Sequence, residues 1–243
     1  MKKMWFFSLL FISCMSENPL TPLLKTIEGE YEYMPLYEGM EMCYRYYSYS
    51  YRDYLPGIYY YFRVLFEKEE DGRKIFDIEM SVPAAGFSYL ATWAVDDTSI
   101  TEYDETLDEW VLLYEIPFIL GNEWDVELHY ERKYVDFKVH YEITGRKRVT
   151  VFKKEYDDCI EIEVNYMLKY TSYSHLYYQN FKIAEYYAPG VGLVRQKVLR
   201  FETNDPQYEG YDFTGDRWDL LPPEEERKES HPSLSIPFLL PFH

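Results

Sequence analysis

Apolar and polar residues alternate along much of the chain. In 124–130 (WDVELHY), Trp124, Val126, Leu128 and Tyr130 fall on one face, and Asp125, Glu127 and His129 on the other. In 135–143 (VDFKVHYEI), Val135, Phe137, Val139, Tyr141 and Ile143 alternate with Asp136, Lys138, His140 and Glu142. In 160–168, Ile160, Ile162, Val164 and Tyr166 alternate with Glu161, Glu163 and Asn165. Successive side chains of a strand point to opposite faces, so this spacing predicts strands with one wet and one dry face, as antiparallel sheets have. Further strands are expected at 42–51, 58–69, 74–82, 87–94, 98–103, 109–115, 147–153, 181–187 and 191–201. Turn residues punctuate them. Asp71-Gly72 predicts a tight hairpin between 58–69 and 74–82. Thr144-Gly145 is expected to separate 135–143 from 147–153, Pro56-Gly57 to end the strand at 42–51, and Ala188-Pro189-Gly190 to turn between 181–187 and 191–201. About ten strands result, most joined to the next in sequence. The expected fold is all-β: a single curved antiparallel meander sheet, half-barrel or barrel-like, with a Pro-rich C-terminal tail. A helical pattern is found only near 222–229, where Pro222 and Pro223 would open a short helix and Glu224 would pair with Lys228.

Composition strengthens the β reading. The chain holds 28 Tyr, 15 Phe and 5 Trp, and aromatic residues favour the pleated, half-buried surface of a sheet. Charge narrows the partners. Acidic residues outnumber basic ones 43 to 25, for a net charge of −18. Nucleic acid is thereby disfavoured, because phosphate contacts need a basic surface. Docking on anionic lipid by charge is disfavoured for the same reason. The acidic runs Asp96-Asp97, Asp157-Asp158 and Glu224-Glu225-Glu226 lack calcium-loop spacing, so no metal or other cofactor is expected. Cys43 and Cys159 lie in apolar strand-like segments. A disulfide between them and two buried free thiols are both compatible with that placement.

The N-terminus points to an address. Lys2 and Lys3 precede an apolar run at 4–12, of the length of a secretory h-region and too short to span a bilayer. The stretch Phe11-Ile12-Ser13-Cys14 resembles a bacterial lipobox, with Phe11 where Leu is usual. The resemblance implies that Cys14 carries a diacylglycerol and, with palmitate or a similar acyl chain, anchors the protein to a membrane. Met15 follows rather than Asp, a pattern that implies the outer membrane, facing the periplasm or the surface. The expected organisation is a signal peptide at 1–13, a lipidated linker at 14–29, a β domain at 30–202 and a Pro-rich, acidic tail at 203–243. That tail ends in the apolar segment 234–242, LSIPFLLPF.

Four phrases, in order, resemble a group of bacterial secreted proteins and lipoproteins: PLYEGMEMCYRY (35–46), PFILGNEW (117–124), VTVFKKEYDDCIEIEV (149–164) and YYAPGVGLVR (186–195). The last carries a YAPGVGLV-type motif. The group has no agreed function; the resemblance implies a curved sheet, loosely like the half-barrels of periplasmic lipoprotein carriers, and no enzyme activity. The physics of the last phrase stands by itself. Pro189 fixes φ and Gly190 permits a positive φ, which together suit a type II-like turn, and Gly192 removes a side chain at a close approach. Pro189, Gly190 and Gly192 therefore read as a structural turn and not as a phosphate loop.

Candidate chemistry is sparse. Ser88 in AGFSYL lacks the second Gly of a nucleophile elbow, and His129, His140, His175, His231 and His243 form no metal-binding pair at helical spacing. No catalytic residue is assigned. Trp93, Trp124, Val126, Phe137, Val139 and Val164 would either line an apolar cavity or fill a core. The expected function is that of a non-catalytic envelope lipoprotein, a binding or structural module with a lipid or protein partner. Two alternatives stay open: a carrier or chaperone of a lipid or acyl chain in a half-barrel cavity, and an interaction subunit or glycan binder working through the Tyr-rich sheet at 44–61.

Overall fold

Each alternating segment pairs with its neighbour in sequence, so a chain of hairpins builds one sheet. The computed structural model describes residues 33–130, 135–172 and 175–222. Cys14, the helix expected over 222–229 and the segment 234–242 lie outside those residues, apart from Pro222. Twelve strands are found among the described residues. They are β1 (Glu41–Ser48), β2 (Asp53–Glu70), β3 (Arg73–Val82), β4 (Phe87–Val95), β5 (Ser99–Asp104) and β6 (Glu109–Glu115), followed by β7 (Glu123–Tyr130), β8 (Val135–Val151), β9 (Lys154–Ser172), β10 (His175–Ala188), β11 (Gly192–Thr203) and β12 (Arg217–Leu220). All pair antiparallel, in the order β6-β5-β4-β3-β2-β1-β12-β11-β10-β9-β8-β7. The meander thus curls until its first and last strands pair, with Tyr44 opposite Leu220 and Tyr47 opposite Arg217. The result is a barrel-like sheet, closed except at one seam, between β6 and β7.

Two turn expectations are corrected. Thr144-Gly145 does not separate two strands: β8 runs through it, and a register shift between Ile143 and Gly145 absorbs the extra residue as a bulge. The real turn is Phe152-Lys153, between the paired residues Val151 and Lys154, with φ of 46° and 70°. Pro56-Gly57 does not end a strand either. β1 turns back at 49–52, and Pro56-Gly57 sits inside β2, where pairing jumps from Arg45–Tyr59 to Tyr47–Tyr54. Proline is tolerated there because the ladder is already interrupted. Asp71-Gly72 does form the two-residue hairpin, with φ of 52° and 76°. The tail boundary moves as well. Residues 203–222 belong to the domain, because β12 fills the gap between β1 and β11.

The inward faces of the two halves, β1–β6 and β7–β12, meet in one hydrophobic core. Aromatic rings bridge them: Tyr114 on β6 packs edge-on against Tyr141 on β8 and Tyr187 on β10, with centroids 5.8 and 5.9 Å apart. Fully burying a large apolar side chain contributes about 1.5–3 kcal/mol, and a buried tyrosine hydroxyl needs a partner as well. Tyr44 has one, donating to the Leu193 carbonyl at 2.7 Å. Cys43 and Cys159 are both buried free thiols, and burial pushes the Cys159 thiol up to about 11.

Candidate binding surface

The six residues expected to line a cavity or fill a core are brought mostly together. Val126 pairs with Val139, Val139 with Tyr166, and Tyr141 with Val164. Trp124 stacks on Tyr141 at 4.8 Å with an interplanar angle of 8°, and half-buried Phe137 stacks on Tyr166 at 6.0 Å. Trp93 lies apart, on β4, against Phe62. Val139 and Val164 are 1% and 0% exposed, and Val126 and Val139 also border an open cleft of about 380 Å³ shared with polar residues of β7–β11. Trp93, Trp124, Val126, Val139 and Val164 belong to the hydrophobic core, and Phe137 packs against it.

Polar groups are threaded through this interior. On β10, Ile183, Glu185 and Tyr187 share the inward face, and Glu185 is 1% exposed. Its carboxylate accepts from Gln196 Nε2 at 2.9 Å, Tyr187 OH at 2.9 Å and Tyr114 OH at 3.2 Å. Burial drives its pKa up to about 7, against the downward pull of those three bonds. Burial beside this carboxylate also holds Tyr114 and Tyr187 well above the ordinary tyrosine range. A second buried acid, Glu102, accepts from Tyr89 OH at 2.6 Å and Trp93 Nε1 at 3.0 Å. A third, Asp104, accepts from Tyr130 OH at 2.5 Å. Alternation alone missed these acids. The legible signal was a carboxylate at an inward position of an apolar run, as in 183–187 (IAEYY) and 100–104 (ITEYD).

The two ends of the barrel differ. The four motif phrases converge on one end, where β1 begins and β12 finishes. Gly192 has φ +97°, and a Cβ there would stand 3.2 Å from Met42 Cε and 3.7 Å from Pro35 Cδ, so the close approach is to side chains. Val191 N donates to the Ala188 carbonyl across Pro189 and Gly190, whose φ is +66°. Phe118 packs against Tyr187 at 5.6 Å and Tyr33 at 6.3 Å. The motif residues therefore plug the end from which both described chain ends leave.

The far end carries, among the described residues, the β1–β2, β3–β4 and β5–β6 turns and the long connection from β11 to β12. That connection folds over the sheet: Phe213 packs on Phe201 at 5.0 Å, and Tyr208 on Phe201 at 6.2 Å. Between it and the ends of β10 and β11 lies a cleft of about 610 Å³, lined by Tyr178, Phe201 and residues 202–206 and 208–211. The Tyr-rich segment 44–61 is divided. Tyr44 and Tyr60 are core, while Tyr49 and Tyr51 are exposed at this same end. His129 and His140 pair across the outer sheet face with Asp136 and Asp125. Among the described residues no cluster of His, Cys, Asp and Glu is placed to hold a metal ion.

No protein-family model matches the chain, and no curated protein matches it. Solved structures do. A protein of Parabacteroides distasonis ATCC 8503, provisionally assigned as a lipoprotein, superposes with a TM-score of 0.49 at 12% identity, over 77% of this chain and 96% of that one. A provisionally assigned exported protein with a YmcC-like fold, from Bacteroides fragilis NCTC 9343, superposes with a TM-score of 0.48 at 13% identity, over the same shares of the two chains.

Proposed function

We propose that the protein is a bacterial envelope lipoprotein, tethered through Cys14 to the outer membrane, whose domain binds a partner at its surface without transforming it. The filled interior carries this reading. A carrier of a lipid or acyl chain needs internal space, and the residues suited to line it are packed against one another. The carboxylate with the pKa best suited to proton transfer, Glu185, is sealed in that core with protein groups as its partners. Recognition is left to the outside. The lipobox-like residues and the polar −18 chain support a soluble domain on a lipid tether.

Native mass spectrometry of the processed protein, taken from membranes of cells expressing the full chain, tests the reading. The expected mass is that of residues 14–243 plus a covalent acylated diacylglyceryl group, which a Cys14→Ser variant lacks. A wild-type mass without covalent lipid would remove the anchor. A lipid that leaves on denaturation would restore the carrier.

A further inference from the structure

The cleft at the far end is built before any ligand arrives. Asn204 Oδ1 accepts from Tyr178 N at 2.7 Å, and its Nδ2 donates to the Leu176 carbonyl at 3.3 Å. Asp205 Oδ1 accepts from Gln207 N at 3.0 Å, and its other oxygen accepts from the Tyr170 hydroxyl. These bonds fix the loop against the strand ends. Two rings are left at the rim: Tyr178 is 37% exposed and Tyr211 51%. Tyr211 lies nearly parallel to Phe213, at 17° with centroids 6.2 Å apart, so one face is backed and the other is open. Glu209 lines the cleft, and its carboxylate makes no hydrogen bond among the described residues.

We propose that this cleft binds a neutral oligosaccharide, an inference that rests on the binding-module reading and names its ligand class. A sugar ring presents C–H groups that pack on an aromatic face, and hydroxyls that donate to carboxylate and amide oxygens. No Lys or Arg lines the cleft among the described residues, whereas Glu202, Asp205 and Glu209 do. Phosphate, nucleic acid and acidic polysaccharide meet like charge there. A polycation would pair with free carboxylates, but Glu202 already takes Arg200 at 3.0 Å and Asp205 is spent on the loop. What remains open is aromatic surface with one spare carboxylate, which suits an uncharged polyol better than a cation. The volume falls within the roughly 300–1,000 Å³ of small-ligand sites.

Saturation-transfer NMR on the full chain in zwitterionic, sugar-free micelles decides the matter. The probes are tetrasaccharides of β-1,4-glucan, β-1,3-glucan, α-1,4-glucan and chitin, with tetragalacturonate and spermine as charged controls. At least one neutral tetrasaccharide is expected to show transfer concentrated on ring C–H protons. Tyr178→Ala and Tyr211→Ala should each weaken it about three- to tenfold, with melting temperatures unchanged, while Tyr51→Ala leaves binding as it was. Silence from all four neutral probes, binding untouched by both cleft variants, or preference for either charged control overturns the proposal. Neither the anchor nor the filled core is read by this experiment, so its failure is distinct from failure of the mass measurement.

Discussion

Glu185 shows what one residue does to a core of this kind. Its carboxyl is buried and, when ionised, costs more in the fold than in the unfolded chain, which is why its pKa rises from 4.5 to about 7. The sign follows from proton counting. Between roughly pH 4.5 and 7 the folded state holds a proton that the unfolded state has released, so stability falls as pH rises through that window and is level above it. Each tenfold difference in proton affinity between the two states is worth about 1.4 kcal/mol, so the loss is a few kcal/mol. Glu185→Gln keeps acceptor and donor capacity for Tyr114, Tyr187 and Gln196 without the charge. Wild type minus variant, followed by thermal melts from pH 4.5 to 8, should slope downward to about pH 7 and then flatten, with the variant several degrees more stable at pH 8. A difference curve flat across the window would show that Glu185 titrates as an ordinary glutamate.

At the scale of elements, the predicted strands were legible because their faces differ so plainly; the turns were legible only where glycine marked them. Asp71-Gly72 announces a hairpin because both positions need positive φ and both residues accept it. Phe152-Lys153 occupies the same kind of turn with two residues that do not, so the eye passes on to Thr144-Gly145, which is a bulge. The reason for Phe152 is tertiary: its ring stacks on Tyr54 of β2 at 4.5 Å and 26°, a contact no local pattern contains. β12 was missed for a similar reason. Four residues, Arg217–Leu220, are too few to show alternation, and they are a strand because β1 and β11 stand ready on either side. The cleft was not legible at all, since it joins β10 to a connection read as tail. The turn gives a clean test. Lys153→Gly relieves a left-handed lysine, φ 70°, and should raise stability by about 0.5–1 kcal/mol in denaturant titration. Phe152→Gly, which relieves the same strain but loses the ring, should lower it. Equal effects at the two positions would mean that strain and not packing governs this turn.

For the molecule as a whole, the two places where a curled meander must be held are opposite one another, and they are held differently. β1 and β12 close through a backbone ladder, reinforced on the outer face by Asp219. That carboxylate has no exposed surface and takes Arg195 at 2.5 Å, Arg217 at 2.8 Å and the Tyr54 hydroxyl, so one group ties β2, β12 and β11 across β1. Between β6 and β7 no backbone ladder is found among the described residues; Trp124 Nε1 on β7 donates to the Leu113 carbonyl of β6 at 3.3 Å, and Tyr130 OH on β7 donates to Asp104, at the end of β5, at 2.5 Å. Unpaired strand edges open more readily than laddered ones, so native-state hydrogen exchange should be faster in β6 and β7 than in β1 and β11. The variants should separate the two closures. Trp124→Phe keeps a ring over Tyr141 and loses one neutral bond, which costs about 1 kcal/mol and speeds exchange about fivefold at the seam alone. Asp219→Ala strands two partly buried guanidinium groups and should cost about 3 kcal/mol, read as faster exchange through every strand. Should Trp124→Phe instead speed exchange everywhere and Asp219→Ala only locally, the seam would be the closure that holds the barrel and the β1–β12 ladder the dispensable one.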